Sequence, residues 1–430
     1  MSVEARSRSR SRTSTSAPPA ASDKLPRAIV VGATFLASLA AAAWTISMPL
    51  RVDEPFHMSQ IEMFLLGDFR MYVADGTVYP VLAMLPGYHL LMAGLVKAFD
   101  VRTFEGLRFV HFGLSLGLLP AAYFTALRTV GREQAWLRAL QCYCCPFVFA
   151  MCFVVYTDVL SLTFTLASLA GCLAGHYALG GLLGLAGLIV RQTNIVLLAL
   201  TPALAYLRTE PAARPRIGEF VLRCWAFLVA VLFLGGFFVA NGGRLPLCSP
   251  KFQSVGLFGM NVVFSAELGA VVFLPWLIFA ATRTWNWAKR SPKIAVGVTA
   301  TMLLTALLAQ VTDDRNRADL LPELLRNHAL QYLTSNFIAR FAFGLAAAAM
   351  VLTVVAAGFD CATLAFLVLV WLGTTLPLAL VEPRYYLPIY ALLVLLRPLG
   401  SRRQELWLWA YFLATALALH AAHVDSPYFL

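Results

Sequence analysis

AIVVGATFLASLAAAAWTISM, Ala28 to Met48, decides the fold. No charged side chain interrupts it, and as a helix it is about 30 Å long, the thickness of a bilayer's hydrocarbon core. Comparable apolar runs recur down the chain. They predict spans near 28–48, 109–127, 136–155, 159–178, 179–190, 195–207, 221–240, 257–281, 294–311, 337–357, 362–381, 385–397 and 405–423. The runs at 179–190 and 195–207 are short enough to be half-helices, tilted spans or one interrupted helix, which sets the expected number at about 11–13. Composition agrees. Of 430 residues, 60% are hydrophobic and 13% charged, about half the charged share of a soluble domain. Mean hydropathy is +0.74. Too few charges remain to coat a soluble protein of this size, which excludes an ordinary cytosolic enzyme and a nucleic-acid-binding domain. The runs are continuous rather than alternating, which excludes a transmembrane β-barrel. The expected fold class is all-α, a polytopic transmembrane helical protein.

Residues 1–27 form a separate region. The Arg/Ser repeat at Arg6–Arg12 and the Ser, Thr, Pro and Ala that follow cannot bury apolar surface, so a disordered basic cytoplasmic tail is expected. A transit or signal peptide is the alternative reading. Residues 28–430 form the membrane domain. The net charge of +11 is distributed unevenly. With the N-terminus inside, the cytoplasmic segments hold 20 of the 33 basic residues, in the tail and around Arg128–Arg138, Arg208–Arg223, Arg283–Lys293 and Arg397–Arg403. The opposite side takes about 15 of the 22 acidic residues. That asymmetry follows the positive-inside rule. Two outer segments, 49–108 and 312–336, are too long for turns, and loops of that length carry function. In the first, Met58–Phe69 and Tyr88–Phe99 read as short interfacial helices. Eight cysteines include Cys142, Cys144 and Cys145, which read as buried or lipid-facing thiols rather than a zinc set.

Five polar clusters fall on that outer side. Asp53-Glu54-Pro55-Phe56-His57 places two carboxylates and a histidine just beyond the first span. Pro55 favours a first helical position, so Asp53 or Glu54 reads equally as an N-cap or as a proton acceptor. Tyr156-Thr157-Asp158 sits at a junction of apolar runs, where the acid is a cap or a ligand-binding group. Arg191-Gln192-Thr193-Asn194 interrupts two short spans. An arginine at that depth faces protein or a polar cavity, or snorkels to the interface, and its planar fork fits a phosphate. Asn241-Gly242-Gly243 with Lys251, and Glu382-Pro383-Arg384-Tyr385-Tyr386, complete the set. Carboxylates, arginines and amides on one face suit binding of a lipid-linked phosphate and activation of a hydroxyl. A transporter is the competing reading, although no internal repeat is visible. A scaffold has no need of such clusters.

In order along the chain, Asp53-Glu54-Pro55-Phe56-His57, Gly67-Asp68-Phe69, Leu85-Pro86-Gly87-Tyr88, Tyr156-Thr157-Asp158, Arg191-Gln192-Thr193-Asn194 and Asn241-Gly242-Gly243 resemble the dolichyl-phosphate-glucose-dependent α-1,2-glucosyltransferase family, a member of the GT-C superfamily. The stretch Arg244–Phe252 and the C-terminal half depart from that pattern. The resemblance implies a GT-C-like membrane enzyme, a hexosyltransferase of N-glycan precursor assembly. It implies dolichyl-phosphate glucose as donor, a lipid-linked oligosaccharide as acceptor, and inversion at the sugar carbon. Another polyprenyl-phosphate sugar is the alternative donor. Asp53, with Glu54 as partner or substitute, is then the expected base. Arg191, with Arg384 and Lys251 behind it, is expected to hold the phosphate, and His57, Tyr156, Asp158, Gln192, Asn194, Asn241 and Tyr385 the sugars. No obligatory cofactor or metal is expected, and no nucleic-acid partner. The implied location is the endoplasmic reticulum membrane with a luminal site, or alternatively a bacterial inner membrane with a periplasmic one.

Overall fold

The structure is a computed structural model that describes residues 24–49, 53–69, 84–101, 103–240, 256–321 and 325–425. Among them the regular structure is helical, and helices run back and forth between two ends of a bundle. α1 (Lys24–Ile46) leads to the first long segment, which carries α2 (Glu54–Leu65) and α3 (Gly87–Phe99). α4 (Phe104–Ser115) and α5 (Leu118–Thr129) return. α6 (Arg132–Tyr143) and α7 (Pro146–Met151) make the next pass, followed by α8 (Asp158–Leu173), α9 (Tyr177–Val190) and α10 (Ile195–Arg208). α11 (Ile217–Arg223) and α12 (Trp225–Ala240) follow, then α13 (Gly259–Val272), α14 (Leu274–Arg290) and α15 (Pro292–Leu308). The second long segment holds α16 (Leu325–Ser335). α17 (Phe337–Ala356), α18 (Cys361–Thr375), α19 (Leu387–Leu396) and α20 (Arg402–Asp425) complete the bundle.

Each expected span thus coincides with a helix or a broken helix pair, but length alone supports fewer crossings than 11–13. Among the described residues four helices are long and apolar enough to span a bilayer, or six when two bent pairs count as spans. Five other apolar helices have 10–17 residues, about 15–26 Å, and fall short of the hydrocarbon thickness. The apolar runs continue through breaks that hydropathy does not register. Pro146 starts α7, so 136–155 is two pieces joined at Cys144–Cys145. Pro275 starts α14, and the chain turns by 97° between α13 and α14, inside the expected span 257–281.

Two helices show how the bundle is layered. α19, LPIYALLVLL, is apolar on every side and almost wholly buried, the pattern of a central helix. α12, WAFLVAVLFLGGFFVA, is equally apolar yet exposes Leu228, Leu232 and Val239, which suits a lipid-facing helix. α2 and α3 are the short helices expected in the first long segment. They do not lie free in an interface. Ile61, Phe64, Tyr88 and Met92 pack together and onto Val155, Leu160 and Val190. Gly87 makes that contact possible, since a Cβ there would lie 2.5 Å from Ile189 Cγ2 and 2.8 Å from its carbonyl oxygen. Cys142, Cys144, Cys145 and Cys152 are buried core thiols.

Polar contacts sort by end, as the alternation of helices requires. One end joins Asp53 to Arg384, Leu85 to Gln192 and Arg326 to Glu382. The other joins Arg138 and Arg397 to Glu405, Arg283 to Ala357 and Arg208 to Asp360.

Candidate active site

The first long segment opens with two adjacent carboxylates that have different fates. Glu54 is fully buried beside Arg108, itself 2% exposed. The Arg108 guanidinium donates to both Glu54 oxygens, at 3.1 and 2.5 Å, and to the carbonyls of Thr45, Met48 and Pro49 at 2.8, 2.6 and 3.1 Å. Glu54 Oε1 also accepts the Val155 amide at 3.0 Å. The pair therefore ties the end of α1, the start of α2, α4 and the segment after α7 into one corner. Glu54 is engaged on both oxygens and is placed as a structural anchor rather than a second base.

Asp53 precedes α2 with Pro55 in the first turn, yet its side chain makes no capping hydrogen bond. Its amide donates to the Tyr156 hydroxyl at 3.0 Å, and its Oδ2 accepts from Arg384 Nη1 at 2.9 Å. The side chain is 31% exposed, and Oδ1 has no hydrogen bond to protein among the described contacts of Asp53. Of the two readings left open by the sequence, the geometry selects an accessible carboxylate over a cap.

Arg384 lies at the hub. Its Nε donates to Glu382, and its guanidinium sits 5.2 Å over the Tyr156 ring and 5.8 Å over Tyr385. Glu382 is in turn paired with Arg326 at 3.1 Å, both nearly buried. Burial pushes Glu382 up, but Arg384 and Arg326 outweigh it and hold its carboxyl down at about 2. Arg191 follows α9, donates to Asp158 Oδ1, and stacks 5.4 Å over the other arginine's neighbour, Tyr385. Asp158 Oδ2 is buried and has no partner. Asp158, Arg191, Arg384 and Tyr385 line one cleft with Ser161, Asn194 and Thr374 among others, and Asp53 adjoins it through its hydrogen bond to Arg384.

The remaining expected residues divide. Asn194 lines the cleft but its amide is spent on Ser161 Oγ at 2.7 Å and the Gly187 carbonyl at 2.8 Å, which closes the α9–α10 break. Gln192 Oε1 accepts the Leu85 amide at 3.3 Å and pins the segment before α3. His57 is fully buried and does not line the cleft: its Nδ1 lies 2.9 Å from His89 Nε2, and its ring meets Tyr156 edge-on at 5.0 Å. Burial, His89 and Arg384 drive His57 well below its usual range, and burial drives His89 down to about 3, so both rings are neutral at physiological pH. His57 thus supports Tyr156 instead of reaching a sugar. Asn241 and Lys251 lie outside the described residues.

Sequence reasoning missed Arg108, Arg326 and His89. Arg108 carried a signal, since an arginine at the mouth of an apolar run must find partners there. Arg326 and His89 stand among ordinary loop polarity and carried none.

Fold and site together define a class: a multi-pass helical membrane protein with a charged cleft at one bundle end, lined by two arginines and Tyr385, one of the arginines paired with the accessible carboxylate of Asp53. Comparison with known proteins is specific over the part that builds much of this cleft. Residues 49–216 match the model of the DIE2/ALG10 family, a stretch that holds the first five of the six motifs quoted above; Asn241-Gly242-Gly243 lies beyond it. The chain is 30% identical over 160 residues to the rat protein named Dol-P-Glc:Glc(2)Man(9)GlcNAc(2)-PP-Dol alpha-1,2-glucosyltransferase, covering 34% of this chain and 33% of that one. It is 29% identical over 175 residues to the Arabidopsis thaliana protein of the same name, covering 36% and 34%. The matched stretch thus spans about a third of the curated relatives' length. A crystal structure of ArnT from Cupriavidus metallidurans bound to undecaprenyl phosphate aligns with 94% of this chain and 78% of that one, at 14% identity and a TM-score of 0.44.

Proposed function

We propose that this protein is an inverting membrane hexosyltransferase that moves glucose from dolichyl-phosphate glucose to a lipid-linked oligosaccharide. The names of the curated relatives support the donor, the acceptor and the α-1,2 linkage. The observation that carries the reading is the pairing of Asp53, accessible and free of a capping role, with Arg384, which lines one cleft together with Arg191.

The chemistry asks little more. An acceptor hydroxyl is a weak nucleophile, and Asp53 Oδ1 takes its proton as the oxygen attacks the anomeric carbon. The bond from that carbon to the phosphate oxygen breaks, and the electron pair leaves on the polyprenyl phosphate. That leaving group is already anionic, so it needs cations rather than a general acid. Arg191 and Arg384 supply them from a water-poor site. Asp158 Oδ2, an unsatisfied acceptor, takes a hydrogen bond from a sugar hydroxyl. The lipid chain stays in the bilayer while its phosphate reaches the cleft at the bundle end. Loop charges support an orientation with that end away from the cytoplasm, in a eukaryotic host the lumen of the endoplasmic reticulum.

The test is an assay of purified protein with a lipid-linked oligosaccharide and either glucose- or mannose-charged dolichyl phosphate. Transfer of glucose with inversion supports the reading. Transfer of mannose alone, or solute uptake into sealed vesicles without sugar transfer, overturns it.

A further inference from the structure

The opposite end of the bundle holds a second charged crevice that glycosyl transfer does not use. After the 97° turn at Phe273, α14 passes beside the start of α20. The space between them is lined by Trp276, Phe279, Arg283, Arg397, Ser401 and Gln404. Behind it Arg138 and Arg397, 1% and 3% exposed, share one carboxylate, Glu405. Glu405 Oε1 accepts from Arg138 Nη2 at 3.1 Å, Arg397 Nη1 at 2.9 Å and the Gly400 amide at 2.9 Å. Its Oε2 accepts from Arg397 Nη2 at 2.5 Å and Gln141 Nε2 at 2.9 Å. The carboxylate is saturated, and the buried triad keeps one positive charge in excess.

Arg283, exposed on the crevice wall, adds a second. Its described hydrogen bond goes to the Ala357 carbonyl at 3.1 Å, which brings no negative charge. Arg397 Nε is buried with no partner. Charge removed from water without a counter-charge is costly, and this crevice faces the place where a counter-charge would sit. Its lining is mostly polar; Phe279 is the exposed apolar side chain, while Trp276 and Leu408 are buried behind it, with Arg397 5.8 Å over the Trp276 ring. α14 then ends in Trp285, Trp287, Lys289 and Arg290, the mixture that seats a helix at headgroup level.

We propose that this crevice binds the phosphate of an anionic membrane lipid. Arg283 meets the phosphate oxygens, the Arg138–Arg397–Glu405 triad supplies the field behind them, and the exposed Phe279 borders the glycerol and acyl carbons. A free phosphate ion shares the recognised chemistry, and the exposed Phe279 with the Trp285, Lys289 and Arg290 end of α14 favours the lipid.

The full chain, purified in uncharged detergent, is titrated with phosphatidylglycerol, phosphatidylcholine or inorganic phosphate while Tm and lipids retained in native mass spectrometry are read. Phosphatidylglycerol raises Tm saturably and stays bound; phosphatidylcholine does neither. Arg283→Glu weakens the apparent affinity about tenfold or more, the value of one charge-assisted hydrogen bond. Gln404→Glu, which leaves Arg283 and its carbonyl contact intact, weakens it in the same direction and stands in if Arg283→Glu fails to fold. Lys293→Glu makes the same charge change on an exposed site at this end, outside the crevice, and stays within about twofold of the parent. Inorganic phosphate matching the lipid identifies the free anion as the source and keeps the site. Equal stabilisation by phosphatidylcholine, equal losses from Arg283→Glu and Lys293→Glu, or no response to any phosphate overturns the proposal.

Discussion

Asp53 and Glu54 are neighbours with opposite expected phenotypes. Glu54→Gln leaves Arg108 buried, charged and without its counter-ion; Glu54 is 0% exposed and Arg108 2%. Breaking one side of a buried pair costs about 3–5 kcal/mol, which is two to almost four powers of ten in the folded-to-unfolded ratio. Asp53→Asn breaks a pair whose carboxylate is 31% exposed and screened by solvent, so it costs about 1 kcal/mol or less. The assay is denaturant unfolding in mixed micelles, followed by tryptophan fluorescence, for both variants, Arg108→Gln and the Glu54→Gln/Arg108→Gln double. The double is expected to lose at least about 2 kcal/mol less than the sum of the singles, the signature of direct coupling. Additive losses, or an Asp53→Asn protein less stable than Glu54→Gln, would refute the division of labour.

Further expectations concern the surrounding network. Arg326→Gln, which leaves Glu382 to Arg384 alone, is expected to raise the donor KM and lower kcat/KM at least about tenfold with little change in fold, checked by initial rates and circular dichroism. Stability is expected to fall as pH drops from 7 towards 4. His57 and His89 are held below their usual range when folded, so the unfolded chain binds more protons below about 6.5; a Tm flat across that window contradicts the buried neutral pair. Gly181→Ala places a Cβ 2.7 Å from Ala226 Cβ and 2.8 Å from the Phe227 amide. It is expected to cost about 1–3 kcal/mol by prying α9 from α12, read as a lower unfolding midpoint.

Helix positions were legible because apolar runs near 20 residues have few other uses in water-exposed chains. Breaks inside them were not. Pro146 and Pro275 can start a new helix or kink an existing one, and packing of α7 and α14 decides which. The grouping of loops by bundle end was legible from Lys and Arg counts, and the end-to-end sorting of polar contacts follows the same parity. Within the site, Asp53, Arg191 and Arg384 could be singled out because isolated charges beside apolar runs are costly without a task. Their partners could not. The Arg326–Glu382–Arg384–Asp53 chain joins residues 331 positions apart in one hydrogen bond, and nothing in one sequence encodes such a pairing. His57 shows a further limit: the resemblance implied a sugar contact, and its ring packs within the protein with Nδ1 2.9 Å from His89 Nε2, a pairing no single sequence displays.

In the proposed reaction one carboxylate and two arginines act on the same bound sugar phosphate. The direct test measures donor binding and glucose transfer in parallel for the parent protein, Asp53→Asn and Arg191→Gln, using glucose-charged dolichyl phosphate. Asp53→Asn is expected to bind donor within about threefold of the parent while transfer falls by about 10²–10⁴, the range of a lost general base; Arg191→Gln is expected to weaken donor binding at least about tenfold. Transfer by Asp53→Asn at the parent's rate would contradict it.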